Sequence, residues 1–409
     1  MATDLTLTGY DAVQQVLRRK VMKQALYDEG GVVMKDALLT LHGSEHRQRR
    51  RLENRLFRRE VFRSFDDEVA PRLIAESLEP FLQAGRADLL TIGHRATLTL
   101  TANIAGVDRP AGTVEETERL YWFDLKFSDG ATLVHSTRDH EEVRQEVAAA
   151  LEEFDQEFLQ PSVARRRELL ARFEAGELDE GDLPDDILTI LLRNQDDLHL
   201  PYEVVRREIA FYLQAGSHSS ANAFAHAMDD LFRWFETHPE DRDRVIEDRF
   251  FLQRCVHESL RLHPASPVAW RIADEDVELR DGHHIPQGTK VVLDLMAANR
   301  DPEVFGDDAD RFNPHRCPAS GAPLWGHTFG GGTHVCIGQE LDAGISQEQA
   351  AGDPSAHVMG MVPAMVEAML HHGAQPDPDD PPSWDETSQR PHFGRYPVLF
   401  RPSATSQQP

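Results

Sequence analysis

The chain is poor in cysteine, with only Cys255, Cys317 and Cys336 in 409 residues. An odd, sparse set of that kind is no disulfide framework, and it suits a reducing compartment. Basic residues are also scarce, 43 Lys and Arg against 70 Asp and Glu, for a net charge of −27. Such a surface repels nucleic-acid backbones and anionic lipid. No apolar run approaches the roughly 18 to 20 residues that span a bilayer. Met1 to Tyr10 shows no basic start followed by an apolar stretch, so a cytoplasmic protein without a membrane anchor is expected. Hydrophobic residues make up 40% of the chain, which excludes global disorder.

What is present is mostly helical. From Tyr10 to about Thr237 apolar residues recur at three- and four-residue spacing. Pro71 to Leu82 and Glu142 to Phe158 are examples, and a long helix opens at Pro201 and runs to about Trp234. Phe250 to Leu262 is a further helix, stopped by Pro264. Ala269 to Leu279, Gly282 to Ile285 and Lys290 to Leu295 read as short strands. Asn299 to Ala322 reads as irregular, and helix returns around Val358 to Leu370. No repeat or linker interrupts the pattern. One mainly α domain over residues 1–409 with a minor β-sheet region is expected, with a frayed tail at about Ser403 to Pro409 and a monomeric state.

Chemistry concentrates in Phe329-Gly330-Gly331-Gly332-Thr333-His334-Val335-Cys336-Ile337-Gly338. Glycines let the backbone take positive φ and approach a flat ligand closely. A helix expected to begin near Cys336 would favour the thiolate through its N-terminal amides, and a thiolate can ligate iron. A phosphate-cradling loop is the first rival, but the spacing matches neither GxGxxG nor the P-loop. Zinc held by His327, His334 and Cys336 is the second, but it lacks a completing cluster. Cys255 falls in a helical pattern and reads as packing.

The loop resembles the haem-binding loop of the cytochrome P-450 superfamily, FxxGxxxCxG, at Phe329, Gly332, Cys336 and Gly338, with the bacterial histidine at His334. Other motifs follow in the family's order. Glu258-Ser259-Leu260-Arg261 matches ExxR, a pair that shares a helix face, and the family joins to it a later arginine, expected here at Arg311 with Arg316 as the alternative. Arg271, in Trp270-Arg271, matches the arginine that contacts a haem propionate, where a bidentate guanidinium suits a carboxylate. His46 and Arg50 match HxxxR, whose members reach propionates too. For each of these residues a solvated surface role is the plain alternative.

The resemblance, from about Tyr10 to Leu399, implies the cytochrome P-450 fold, haem b (iron protoporphyrin IX) on Cys336, and monooxygenation of a small lipophilic or aromatic molecule. Electrons would come ultimately from NAD(P)H through a ferredoxin-type donor. The basic segment Arg47 to Arg59 is the expected donor surface, a solvated helix face being its bland reading. Family analogy places the pocket at Leu26 to Leu41, at Phe211, Leu213, Gln214 and Ala215, and at Ala265 to Ala269.

Three departures stand out. Ala215-Gly216-Ser217-His218-Ser219 occupies the place of Ala-Gly-x-Asp/Glu-Thr, so His218 and Ser219 stand where the family keeps its acid and hydroxyl. Ser219 retains the hydroxyl, and His218 can carry a proton near neutral pH. That change leaves open peroxide-driven, NO-reducing or isomerase/dehydratase chemistry, and a non-catalytic haem sensor is a further rival. The N-terminal helix and strands that normally precede Tyr10 are expected to be missing. An insertion is expected after Leu341, around Gly352-Asp353-Pro354.

Overall fold

A computed structural model of the chain describes residues 4–346, 349–350 and 357–400. The Ser403 to Pro409 tail and the Gly352-Asp353-Pro354 break lie outside them. The chain divides into two compact units, one of residues 1–26, 62–93 and 220–409, the other of residues 27–61 and 94–219. Both are mainly helical. The long helix Tyr202–Thr237 gives residues 202–219 to the second unit and the remainder to the first.

The first unit holds the sheets. Its four-stranded sheet sets Leu5–Leu7 parallel to Lys290–Asp294, then Val268–Ala273 and Met22–Gln24 antiparallel. One strand, Leu5–Leu7, therefore precedes the helix Tyr10–Arg18, where the sequence reading expected none, and Met22–Gln24 follows it. Alternation buries one face: Leu7, Met22, Ala273, Val291 and Leu293 join Val13, Val16 and Leu17 of that helix in a single apolar cluster. A three-stranded sheet of Arg86–Asp88, Pro397–Phe400 and Ala374–Pro376 lies elsewhere in the unit. Helix Arg249–Leu262 is capped by Asp248, which accepts from the amides of Phe250 and Phe251. Helix Met361–His371 packs against it and against Ala70–Ala84.

Past Leu341 the fold doubles back. Helix Gln339–Ala343 ends after five residues, Ile345 bridges to Val358, and helix resumes at Met361. Gly344 and Gly360 face each other there with φ of +77° and +86°. A Cβ on either would lie 2.2–2.3 Å from backbone atoms of the opposing segment, so only glycine fits. Gln253 ties the two arms by donating to Ala343 O, Val358 O and Met359 O.

The second unit packs helix Val114–Ala131 against His140–Phe154. Phe123, Phe127, Phe154 and Phe158 interlock edge-on and stacked at 5.2–6.3 Å. No described helix is long and apolar enough to cross a membrane.

Candidate active site

In the first unit the cysteine loop is held from behind. Gly330 and Gly332 take φ of +68° and +65°. A Cβ on Gly332 would come within 2.2 Å of Leu17 O, so the glycine lets the loop lie directly on the first helix. Cys336 N–H donates to Phe329 O at 2.9 Å and closes the turn. Asn299 anchors the loop's entry: its Oδ1 accepts from His327 N at 2.7 Å and its Nδ2 donates to Arg261 O at 3.0 Å. His327 stacks on Tyr10 at 4.0 Å and bonds to Tyr10 O. Neither Asn299 nor His327 carried a signal strong enough to assign these roles beforehand.

Cys336 itself is exposed, whereas Cys255 is buried and its thiol is pushed well up by burial. The helix expected to begin at Cys336 starts three residues later, at Gln339, with Gly338 as its N-cap. A Cβ at Gly338 would meet nothing within 4 Å.

The brace is buried and complete, with one correction. Arg261 donates through Nε and Nη2 to both oxygens of Glu258 at 2.9 and 2.7 Å. Its Nη1 reaches Asn299 O and Ala309 O, both at 2.6 Å. The third member is Arg316, whose Nε donates to Glu258 Oε1 at 3.0 Å. Arg311 is exposed and contributes only its carbonyl, which accepts from both arginines. Asn313 N–H completes the carboxylate at 3.1 Å.

Arg271 is buried on the strand Val268–Ala273, directly opposite Gln24. Its Nη1 donates to Trp270 O at 2.8 Å. The Gln24 amide is buried, and neither its oxygen nor its nitrogen has a hydrogen-bond partner among the described residues. That amide has unused capacity for a polar ligand. His334 ends the short turn Gly332–His334 and is half-buried.

In the second unit, His46 and Arg50 lie one turn apart on the helix Gly43–Glu53. His46 is pushed down to about 4, by burial first and then by Arg50, His42 and Arg47, and is neutral at physiological pH. Arg50 donates to Asn54 Oδ1 at 3.0 Å. Arg47, Arg51, Arg55, Arg58 and Arg59 are exposed. Arg49 is not part of that surface: it is 2% exposed and pairs with Glu53 at 3.0 Å and Glu208 at 2.6 Å. Tyr212 donates to Glu53 at 2.6 Å, and burial raises both carboxyls against the pull of Arg49.

On the long helix, Ala215 is exposed between the buried residue Gln214 and the half-buried Gly216. A Cβ on Gly216 would lie 2.2 Å from Thr101 Cγ2, so this glycine serves close helix–helix packing. Ser219 Oγ donates to Ala215 O at 2.8 Å. The His218 ring is half-buried, 5.6 Å from that of His94.

An exposed cysteine on a positive-φ glycine loop, backed by a buried Glu–Arg–Arg brace on a mainly helical frame, is the arrangement expected of the haem-thiolate class. A family model described as Cytochrome P450 matches residues 2–342, and the chain belongs to the cytochrome P450 family. Relatives include indoleacetaldoxime dehydratase of Arabidopsis thaliana, 28% identical over 47% of this chain and 42% of that protein. Luteothin monooxygenase of Streptomyces thioluteus is 34% identical over 42% of this chain and 40% of that protein. The chain thus spans about two fifths of the length of these relatives. Among solved structures, P450BioI in complex with a hexadec-9Z-enoic acid ligated acyl carrier protein aligns with a TM-score of 0.73 at 19% identity, covering 98% of this chain and 93% of that one. CalO2 aligns with a TM-score of 0.73 at 20% identity, over 97% and 90%. At those identities the likeness shows the fold.

Membership implies a haem iron, and the residues fit one. The accessible Cys336 would supply the soft donor that iron accepts. No atom stands within 4 Å of where a Gly338 Cβ would lie, and the Gln24 amide, without a partner among the described residues and opposite Arg271, would offer a polar partner to a carboxylate.

Proposed function

We propose that the chain is a haem-thiolate monooxygenase that inserts one oxygen atom of O2 into a small, largely apolar molecule. One observation carries the reading: Cys336 is accessible at the end of a glycine turn that Asn299, Arg261, Glu258 and Arg316 hold from behind. When bound, the haem supplies oxygen activation, pushed by the thiolate. The protein's part is to hold that sulfur, to meet the propionates with His46, Arg50, Arg271 and His334, and to deliver protons. His46, neutral near pH 7, can donate one N–H without adding charge beside Arg50.

Ser219 is the proposed proton-delivering hydroxyl and His218 its partner, with Gly216 and Ala215 shaping the helix there. Ser219's present acceptor, Ala215 O, is the ordinary resting bond of a helical serine, and breaking it frees the hydroxyl to turn. The exposed arginines from Arg47 to Arg59 support docking of an acidic, ferredoxin-type donor fed by NAD(P)H. Luteothin monooxygenase among the relatives supports the reaction type. Turnover with ferredoxin, reductase and NADPH, compared with peroxide alone, tests the reading. Donor-dependent product supports it, and product from peroxide only replaces it with a peroxygenase.

A further inference from the structure

Behind His218 lies a set of buried titratable groups that the haem-thiolate reading leaves unused. Asp124, on the helix Val114–Ala131, is fully buried and accepts from Ser217 Oγ at 2.5 Å. Its Oδ1 has no hydrogen-bond partner among the described residues. His94, on the helix Leu89–Ala105, is 4% exposed and holds Nδ1 3.8 Å from Asp124 Oδ2. Its ring lies 5.6 Å from the His218 ring and 5.1 Å from that of half-buried Tyr121. Thr97 Oγ1 stands 3.4 Å from both His94 O and Ser217 O.

A packing role explains this poorly. Buried polar groups kept for structure are normally satisfied, because each unsatisfied one is costly. Here Asp124 Oδ1 and His94 Nδ1 have no hydrogen-bond partner among the described residues, and the other carboxyl oxygen, Oδ2, which accepts from Ser217, stands 3.8 Å from Nδ1, too long for a hydrogen bond. Burial pushes Asp124 up to about 7, with Ser217 acting against it, and pushes His94 down to about 4. The neighbouring Arg95 is already paired with Glu118 at 2.5 Å. Near neutral pH, a carboxyl that readily exchanges its proton thus faces a neutral imidazole.

We infer that Asp124 and His94 form a buried proton reserve behind His218, relaying protons to it and through it to Ser219. The proposal rests on the haem-thiolate reading. A proton leaves the Asp124 carboxyl for His94 Nδ1, and the proton on His94 Nε2 moves to His218. The carboxylate is then reprotonated from solvent. No electrons move; His94 is left as its Nδ1–H tautomer and regains the Nε2–H form by proton exchange before the next transfer. Asp124 and His94 touch no reacting atom; they act through His218.

The test is histidine-labelled NMR of the reduced, CO-bound protein, with the His94 and His218 signals assigned by His→Gln substitution. In the parent, both signals take a shared pH-dependent step near neutral pH. In Asp124→Asn, which keeps the shape and an acceptor for Ser217, that step is lost, and uncoupled peroxide release rises roughly threefold or more. Titration of His218 unchanged by Asp124→Asn overturns the relay. Should that variant fail to fold, Ser217→Ala serves: removing its hydrogen bond to the carboxylate moves the step to higher pH, and an unmoved step overturns the relay. The same samples report the Soret band, and its absence from the thiolate position in the parent overturns the haem reading, and the relay with it.

Discussion

Arg316 Nε donates to Glu258 Oε1 at 3.0 Å, and with both residues buried this bond joins the loop before the cysteine turn to the helix Arg249–Leu262. Its Nη2 also holds Arg311 O, so the Arg311 backbone is fixed while its side chain faces solvent. Removing Arg316 leaves a buried carboxylate short of a partner. Arg316→Ala should cost roughly 3–5 kcal/mol and release haem, whereas Arg311→Ala should stay within about 0.5 kcal/mol of the parent. Denaturant midpoints of the two variants decide this, and equal effects would mean that the brace is misassigned.

Gly332 and Gly338 differ in what a side chain would meet. Gly332→Ala puts a methyl into Leu17 O at positive φ and should cost more than about 2 kcal/mol. Gly338→Ala meets open space and should leave the stability of the haem-free chain nearly unchanged. Thermal unfolding of both haem-free variants measures the difference.

Acid should destabilise the first unit in a defined window. Burial pushes His257 and His327 each down to about 4. The unfolded chain, with ordinary values near 6.5, therefore binds more protons between those limits. Stability is full above about pH 6.5 and is lost as pH falls toward about 4. Replacing His327 by Gln should flatten the slope of stability against pH in that window by up to about one proton. An unchanged slope would show that His327 takes up its proton alike in the folded and unfolded chain.

Charge reversal on the donor face should act on association. Arg55→Glu with Arg58→Glu, both exposed, should raise the KM for ferredoxin about tenfold at low salt and weaken its salt dependence. The KM for the organic substrate should not move. Stopped-flow reduction across a salt series measures both.

Ser219→Ala should increase uncoupled peroxide release while leaving the CO-bound spectrum unchanged. Measured peroxide per NADPH consumed is the check, and unchanged coupling would remove Ser219 from proton delivery.

Much of this was legible in the sequence because periodicity and local motifs are local properties. The helix read from Pro201 to Trp234 is Tyr202–Thr237, and the strand at Lys290 to Leu295 is Lys290–Asp294. ExxR and the cysteine loop were readable for the same reason. The choice between Arg311 and Arg316 was not, since both sit in irregular chain where no period says which side chain turns inward. Arg49 was hidden because a run of arginines reads as a solvated face, while its partner Glu208 is 159 residues away. Asp124 and His94 were hidden likewise: nothing local marks a carboxyl 93 residues from its serine. The helix after Cys336 starts only at Gln339, with Gly338 at its N-cap, and spacing alone did not distinguish that position from a helical glycine.

The central claim is that the Cys336 sulfur binds haem iron. The most direct measurement is the visible spectrum of the reduced, CO-bound protein beside its Cys336→Ser counterpart. A Soret band at the thiolate position in the parent, displaced or lost in the variant, is the predicted result. A parent band typical of histidine ligation, or a variant indistinguishable from the parent, would contradict it.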